Sequence, residues 1–136
     1  FVFEIENNLG GKYFLTADEI IVDKTNKILT INEAKNTTTS KMPKVPDIKD
    51  GLFKILLFSQ IKTLFIDDIE YGYRVGLKLS GSIKTSLRLP NNAKTINIFC
   101  DEEELSNPER ASIKMLNEEA TENNYEIELA NNENLL

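Results

Sequence analysis

The sequence predicts an α+β domain, mainly β, with a single capped helix near its C-terminus. Three observations carry that expectation. Short β-branched and aromatic runs dominate the first hundred residues, turn chemistry separates them, and Ser106-Asn107-Pro108-Glu109 opens an amphipathic stretch with a capping box. The order of elements predicts about seven strands, arranged as an antiparallel meander or a partly open barrel with the helix packed on it.

Lys12 to Leu15, Ile20 to Val22 and Lys27 to Ile31 read as an early three-stranded meander, with Asp18-Glu19 as a turn. Residues 33–51 hold two prolines, three consecutive threonines and few large apolar side chains, and are expected to be an exposed, flexible loop. Leu52 to Phe58 and Gln60 to Ile66 read as strands, with a turn from Asp67 to Gly72. Tyr73 to Leu79 and Ile83 to Leu89 flank Ser80-Gly81-Ser82, which reads as a hairpin tip. Thr95 to Phe99 is a further expected strand. The helix runs from Ser106 to Asn123-Asn124, with Ala111, Ile113, Met115, Leu116 and Ala120 as its expected buried face. Tyr125 to Leu129 alternates as a last short strand. Residues 1–130 make one domain, and 131–136 a frayed tail.

Composition restricts the function. The chain has 136 residues, no histidine and one cysteine. No histidine means neither the commonest general base nor the commonest metal ligand. Cys100 closes an apolar run and reads as a buried small hydrophobe rather than a nucleophile. A lone cysteine permits no internal disulfide, which favours a reducing, cytoplasmic compartment. No apolar run reaches membrane-spanning length, and FVFEIENN at the start has no basic stretch or cleavage pattern, so no signal peptide is expected. Abundant Asn, Ile and Lys with only three Arg fits translation from an AT-rich genome.

Charge is uneven. Residues 1–100 carry 14 basic and 11 acidic side chains, residues 101–136 carry 2 and 11, and the whole has a net charge of −6. That balance argues against general nucleic-acid binding. No Gly-rich phosphate loop and no EF-hand spacing occur. Asp67, Asp68 and Glu70 fit turn geometry, and Asp101 to Glu104 fit the field of a following helix N-terminus, so neither group requires a metal. No cofactor, metal or catalytic residue is expected.

One face stands out. Val75, Leu77, Leu79, Ile83, Leu87 and Leu89 share odd parity and are apolar, whereas Arg74, Lys78, Lys84 and Arg88 share even parity. A three-residue loop at Ser80-Gly81-Ser82 would set Lys78 opposite Lys84 and Arg74 opposite Arg88. Like charges so opposed destabilise a sheet, so Arg74, Lys78, Lys84 and Arg88 are the candidate anion- or partner-binding residues. A solvated outer face neutralised by the acidic tail is the bland alternative.

The meander, the YRVGLKL…TSLRLP hairpin, the TINIF strand and the capped SNPERASIKML helix together resemble the pleckstrin-homology-like superfold in its small bacterial versions. The resemblance spans roughly residues 12–120 and rests on pattern. The strand at Tyr125 to Leu129 and the absence of a tryptophan depart from it. It implies a non-enzymatic scaffold that binds a protein or an anionic lipid headgroup, cytoplasmic and at most membrane-peripheral. The competing expectation is a structural or assembly domain of a larger protein or phage-type particle, including self-association through a sheet edge. An enzyme built from carboxylates would require two of them to converge, which spacing alone does not show.

Overall fold

The computed structural model describes residues 2–135, with side chains described to residue 133. Eight strands form two sheets, and three helices accompany them. β1 (Val2–Glu6) and β2 (Lys12–Thr16) form an antiparallel hairpin of their own. β3 (Glu19–Asp23) pairs antiparallel with β4 (Ile28–Asn36). Helix α1 (Val45–Ser59) and the short β5 (Leu64–Ile66) lead to β6 (Ile69–Gly81), the longest strand. β7 (Leu87–Leu89), α2 (Ala93–Glu102), α3 (Asn107–Asn123) and β8 (Glu126–Asn131) complete the chain, with a 3₁₀ turn at Asn132–Leu135.

The main sheet has the order β3-β4-β6-β8-β7, with β5 added to one end of β6. β4, β6 and β8 are parallel, and β3 and β7 are antiparallel to their neighbours. Parallel neighbours need crossovers rather than hairpins, and α1 and the α2–α3 pair supply them. The sheet is therefore open, not a barrel or a meander.

Several expectations give way for physical reasons. LFKILLF lies in α1, where Ile48, Gly51, Ile55 and Phe58 recur at helical spacing and are buried, and Pro46 sits in the first turn. An apolar run of that length does not by itself separate strand from helix. TINIF lies in α2: Asn92 accepts a bond from the Thr95 amide as N-cap, and Ile96, Phe99 and Cys100 are buried. The supposed loop at 33–51 holds the end of β4, a short connection at 37–44 and the first half of α1. β2 pairs with β1, not with β3, so the early meander is two hairpins. β6 and β7 do not form a hairpin, because β8 inserts between them. The last strand is thus interior, not peripheral, and the tail begins with its final residue.

The helix at 107–123 matches expectation in its bounds and caps, with Ile113, Leu116 and Ala120 buried, whereas Ala111 and Met115 face solvent. Ser106 accepts from the Glu109 amide, Glu109 accepts from the Ser106 amide, and Asn124 closes the end in left-handed conformation. The turn expected over 67–72 is shorter: Asp67 and Asp68, both with positive φ, join β5 to β6 as a two-residue loop, and 69–72 already belong to β6.

The core lies on one side of the main sheet. Leu29 and Ile31 of β4, Val75, Leu77 and Leu79 of β6, Leu87 and Leu89 of β7, and Ile127 and Leu129 of β8 face the helices and are buried. All six odd-parity residues singled out between 75 and 89 are in this core, although the pairing that was meant to explain them is absent. Gly51 lets α1 approach β6 closely, since a Cβ there would stand 2.7 Å from Leu77 Cδ1. At Gly81 a Cβ would collide with the backbone carbonyl of Lys41 and stand 2.9 Å from that of Ser40, which also accepts from the Ser82 amide.

Because backbone cannot yield as a side chain end can, Gly81→Ala is expected to lose about 2–3 kcal/mol of stability. Urea titration against the wild type measures it.

Candidate functional site

The four even-parity bases occupy two different environments. Arg74 and Lys78 of β6 and Arg88 of β7 lie on the sheet face opposite the helices. Lys84 lies in the connection between β6 and β7. On the sheet, Lys78 stands across from Ala34 on one side and Glu128 on the other, and Arg88 is opposite Glu128. The Lys78 ammonium is 2.8 Å from Glu19, whose carboxyl it holds below the usual range with help from Asn32. Arg88 is 3.9 Å from Glu128 and well exposed. Arg74 contributes to the lowered pKa of Asp23, after the bonds from Asn26 and Thr25. Lys78 and Lys84 are not paired across strands, nor are Arg74 and Arg88. In place of opposed cations the sheet carries a mixed-charge face.

Lys84 takes part through its backbone. Glu103, buried at the C-terminal end of α2, accepts the Lys84 and Thr85 amides and the Thr85 hydroxyl. Burial alone would raise its pKa, but these bonds outweigh it and the pKa is lowered. Lys41 caps the same helix end by donating to the Glu103 and Glu104 carbonyls. Cys100 is buried as expected, and burial pushes its thiol up, Arg110 notwithstanding.

A carboxylate is present where the core pattern calls for an apolar residue. Along β4, Leu29 and Ile31 point to the helices, and so does Glu33, which is 3% exposed. Asp18 immediately precedes β3. Extending the β3–β4 register by one step beyond Glu19↔Asn32 puts Asp18 opposite Glu33. Asp18 Oδ2 accepts the Ala34 amide at 2.9 Å, which fixes it beside β4.

Two lysines flank this pair. Lys54, from α1, is 3.2 Å from Glu33 Oε1. Lys35, next inward-facing residue of β4, is 2.6 Å from Asp50 of α1, and its pKa is raised first by that bond and further by Glu33 and Asp18. It is held as a cation. Glu33 Oε2 has no partner, and it is the sole buried side-chain oxygen or nitrogen in that condition among the described residues. Burial, chiefly, raises the Glu33 pKa, the Asp18 charge adds to the rise, and Lys54 opposes it.

An oxygen so placed fits a metal cation. Among the described residues no group of three or more candidate ligands gathers at one point. Neighbouring carboxylates are the ligand type of a hard cation such as magnesium, which keeps waters in its shell. Glu33 and Lys35 escaped the sequence reading because residues 33–51 looked like a loop. The signal was there: the alternation of Leu29 and Ile31 continues unbroken into Glu33 and Lys35.

No family model, curated protein or solved structure matches the chain. Among the described residues, no helix is long and apolar enough to cross a membrane.

The lowered Glu103 pKa sets a sign. Its contribution is fully present above the ordinary glutamate value and lost as pH falls through the lowered folded value. Glu103→Gln is expected to be less stable than wild type at neutral pH, with the gap closing on acidification. Paired urea titrations from neutral pH downwards measure the gap.

Proposed function

We propose that this chain is a divalent-cation-dependent hydrolase of phosphate esters, with Asp18 and Glu33 holding the cation and Lys35 facing the phosphoryl group. The observation that carries this reading is the buried, unpartnered Glu33 Oε2 beside the Asp18 carboxylate. A divalent cation there would polarise a phosphoryl oxygen and lower the pKa of its bound water. Lys35, kept protonated by Asp50, suits stabilisation of phosphoryl oxygens rather than proton abstraction. In the reaction a water oxygen bonds to phosphorus and gives up one proton to solvent, the bond from phosphorus to the leaving oxygen breaks, and that oxygen departs with a proton taken from solvent. The overall acidity of the chain is misleading locally, since residues 35–62 carry six lysines against two aspartates, a field that draws anions.

The test combines binding and turnover. Mg²⁺ or Mn²⁺ is expected to raise the melting temperature of the wild type, and Glu33→Gln to abolish that rise while folding in EDTA. Bis(p-nitrophenyl) phosphate, a DNA plasmid and an RNA oligonucleotide serve as substrates. Lys35→Ala is expected to keep the cation-induced rise and lose turnover by about a hundredfold or more. A wild type indifferent to both cations, or equal turnover in Glu33→Gln, overturns the reading.

A second reading rests on a different observation. Parallel strands are ordinarily covered on both faces, yet Arg74, Lys78, Glu126 and Glu128 line an uncovered face of β6 and β8. That supports a non-enzymatic module that recognises a protein partner there, or a structural role within a larger assembly. The paired charges make an anionic lipid headgroup the weaker candidate. On this reading the Arg74→Glu/Lys78→Glu variant loses partner capture from a lysate and keeps cation-dependent turnover. Unchanged capture argues against the face.

A further inference from the structure

We propose that the cleft between β1 and the segment 60–66 accepts an extended peptide of a partner protein by strand addition. This goes beyond the hydrolytic reading and uses a different surface.

The cleft measures about 930 Å³ and is lined by every residue from Val2 to Asn8 and from Gln60 to Ile66. A strand that lines a cavity with its face contributes alternate residues, whereas one that contributes consecutive residues presents its edge. The β1 wall is therefore a backbone edge, and the opposite wall is the non-strand segment 60–63 followed by the three residues of β5. Neither has a strand partner on that side: β1 pairs with β2 alone and β5 with β6 alone among the described residues.

The register tells which groups are free. The Asn7 amide donates to the Gly11 carbonyl, so Phe3↔Leu15 and Ile5↔Tyr13 are the hydrogen-bonded pairs of the hairpin. Val2, Glu4 and Glu6 turn their amides and carbonyls away from β2, towards the cleft. Around the two-residue Asp67-Asp68 loop, Ile66↔Ile69 is the closing pair, which leaves Phe65 turned outward on the other wall. The outward row of Val2, Glu4 and Glu6, with the Phe65 amide and carbonyl facing it across the cleft, is complementary to an extended chain.

The floor gives side-chain preference. Ile20, Val22 and Leu29 lie beneath the gap, and Val22 is 41% exposed. Alternate residues of the incoming strand therefore meet an apolar surface. Glu4 and Glu6 make the β1 wall acidic, although Lys12 across the hairpin is bonded to Glu4 at 3.1 Å, and Lys62 lines the opposite wall. The occupant is a segment about as long as β1, with alternating large apolar residues and a Lys or Arg on the β1 side.

The test uses the whole chain in EDTA, so that cation chemistry plays no part. Fluorescent peptides of about seven residues, alternating Val, Ile, Leu or Phe with either Lys or Glu, are titrated by anisotropy. The Lys series is expected to bind more tightly than the Glu series, with the Glu4, Glu6 and Phe65 amides protected from hydrogen exchange on binding. Glu4→Pro removes an amide that points away from β2, so the hairpin and the melting temperature are retained. It is expected to weaken peptide binding about tenfold or more. Binding of no peptide, binding unaffected by Glu4→Pro, or protection confined to other strands overturns the proposal. Concentration-dependent dimerisation that protects the same amides without peptide also overturns it, because the occupant is then a second copy.

Discussion

The parallel pairing of β4 with β6 is the constraint from which the rest of the structure follows. Two parallel neighbours cannot be joined by a tight turn, so the chain must cross one face of the sheet between them. Helix α1 makes that crossing. Successive crossovers advancing the same way across a sheet share a hand, and the α2–α3 pair, which joins β7 to β8, packs on the same side as α1. The apolar odd-parity residues of β4, β6, β7 and β8 all turn towards that layer. The opposite face of the sheet keeps its mixed charges.

The same crossing makes the carboxylate site. Glu33 and Lys35 project beneath α1, and α1 supplies Lys54 to the first and Asp50 to the second. The antiparallel β3–β4 hairpin brings Asp18 to the other side of Glu33. Three consecutive elements thus converge on one acid. Burying an unpaired carboxylate oxygen near a second carboxylate works against folding. Lys54 offsets part of that cost but reaches only Oε1. Turn geometry and helix-end fields account for the other acidic groups singled out in the sequence, whereas nothing within the fold satisfies Glu33 Oε2.

Much of the fold was legible where the local signal is self-contained. The capping box at Ser106 and the inward parity of Val75 to Leu89 are set by residues three apart or two apart. What failed was non-local. LFKILLF and TINIF are apolar in both helical and extended conformations, and only packing decides between them. The hairpin failed because Ser80-Gly81-Ser82 has turn composition, yet Gly81 serves a close approach to the Lys41 carbonyl. Arg74, Lys78, Lys84 and Arg88 were singled out from a pairing that β8 prevents. Glu33, by contrast, was readable in principle as an acid at an apolar parity position.

The sheet's unequal treatment of its edges bears on what the domain can join. β7, like β5, is a three-residue edge, and such an edge is by itself too short to template another strand well. The β1 and β5 edges meet across one cleft with their free amides and carbonyls turned towards it. A single inserted strand would satisfy both rows at once, giving β2, β1, the insert, β5 and β6 as one run of pairings. A strand added at β7 would gain one row only. Backbone pairing therefore favours the cleft over the exposed sheet edge as the place where another chain joins this one, and the apolar floor of Ile20, Val22 and Leu29 gives that strand somewhere to bury alternate side chains.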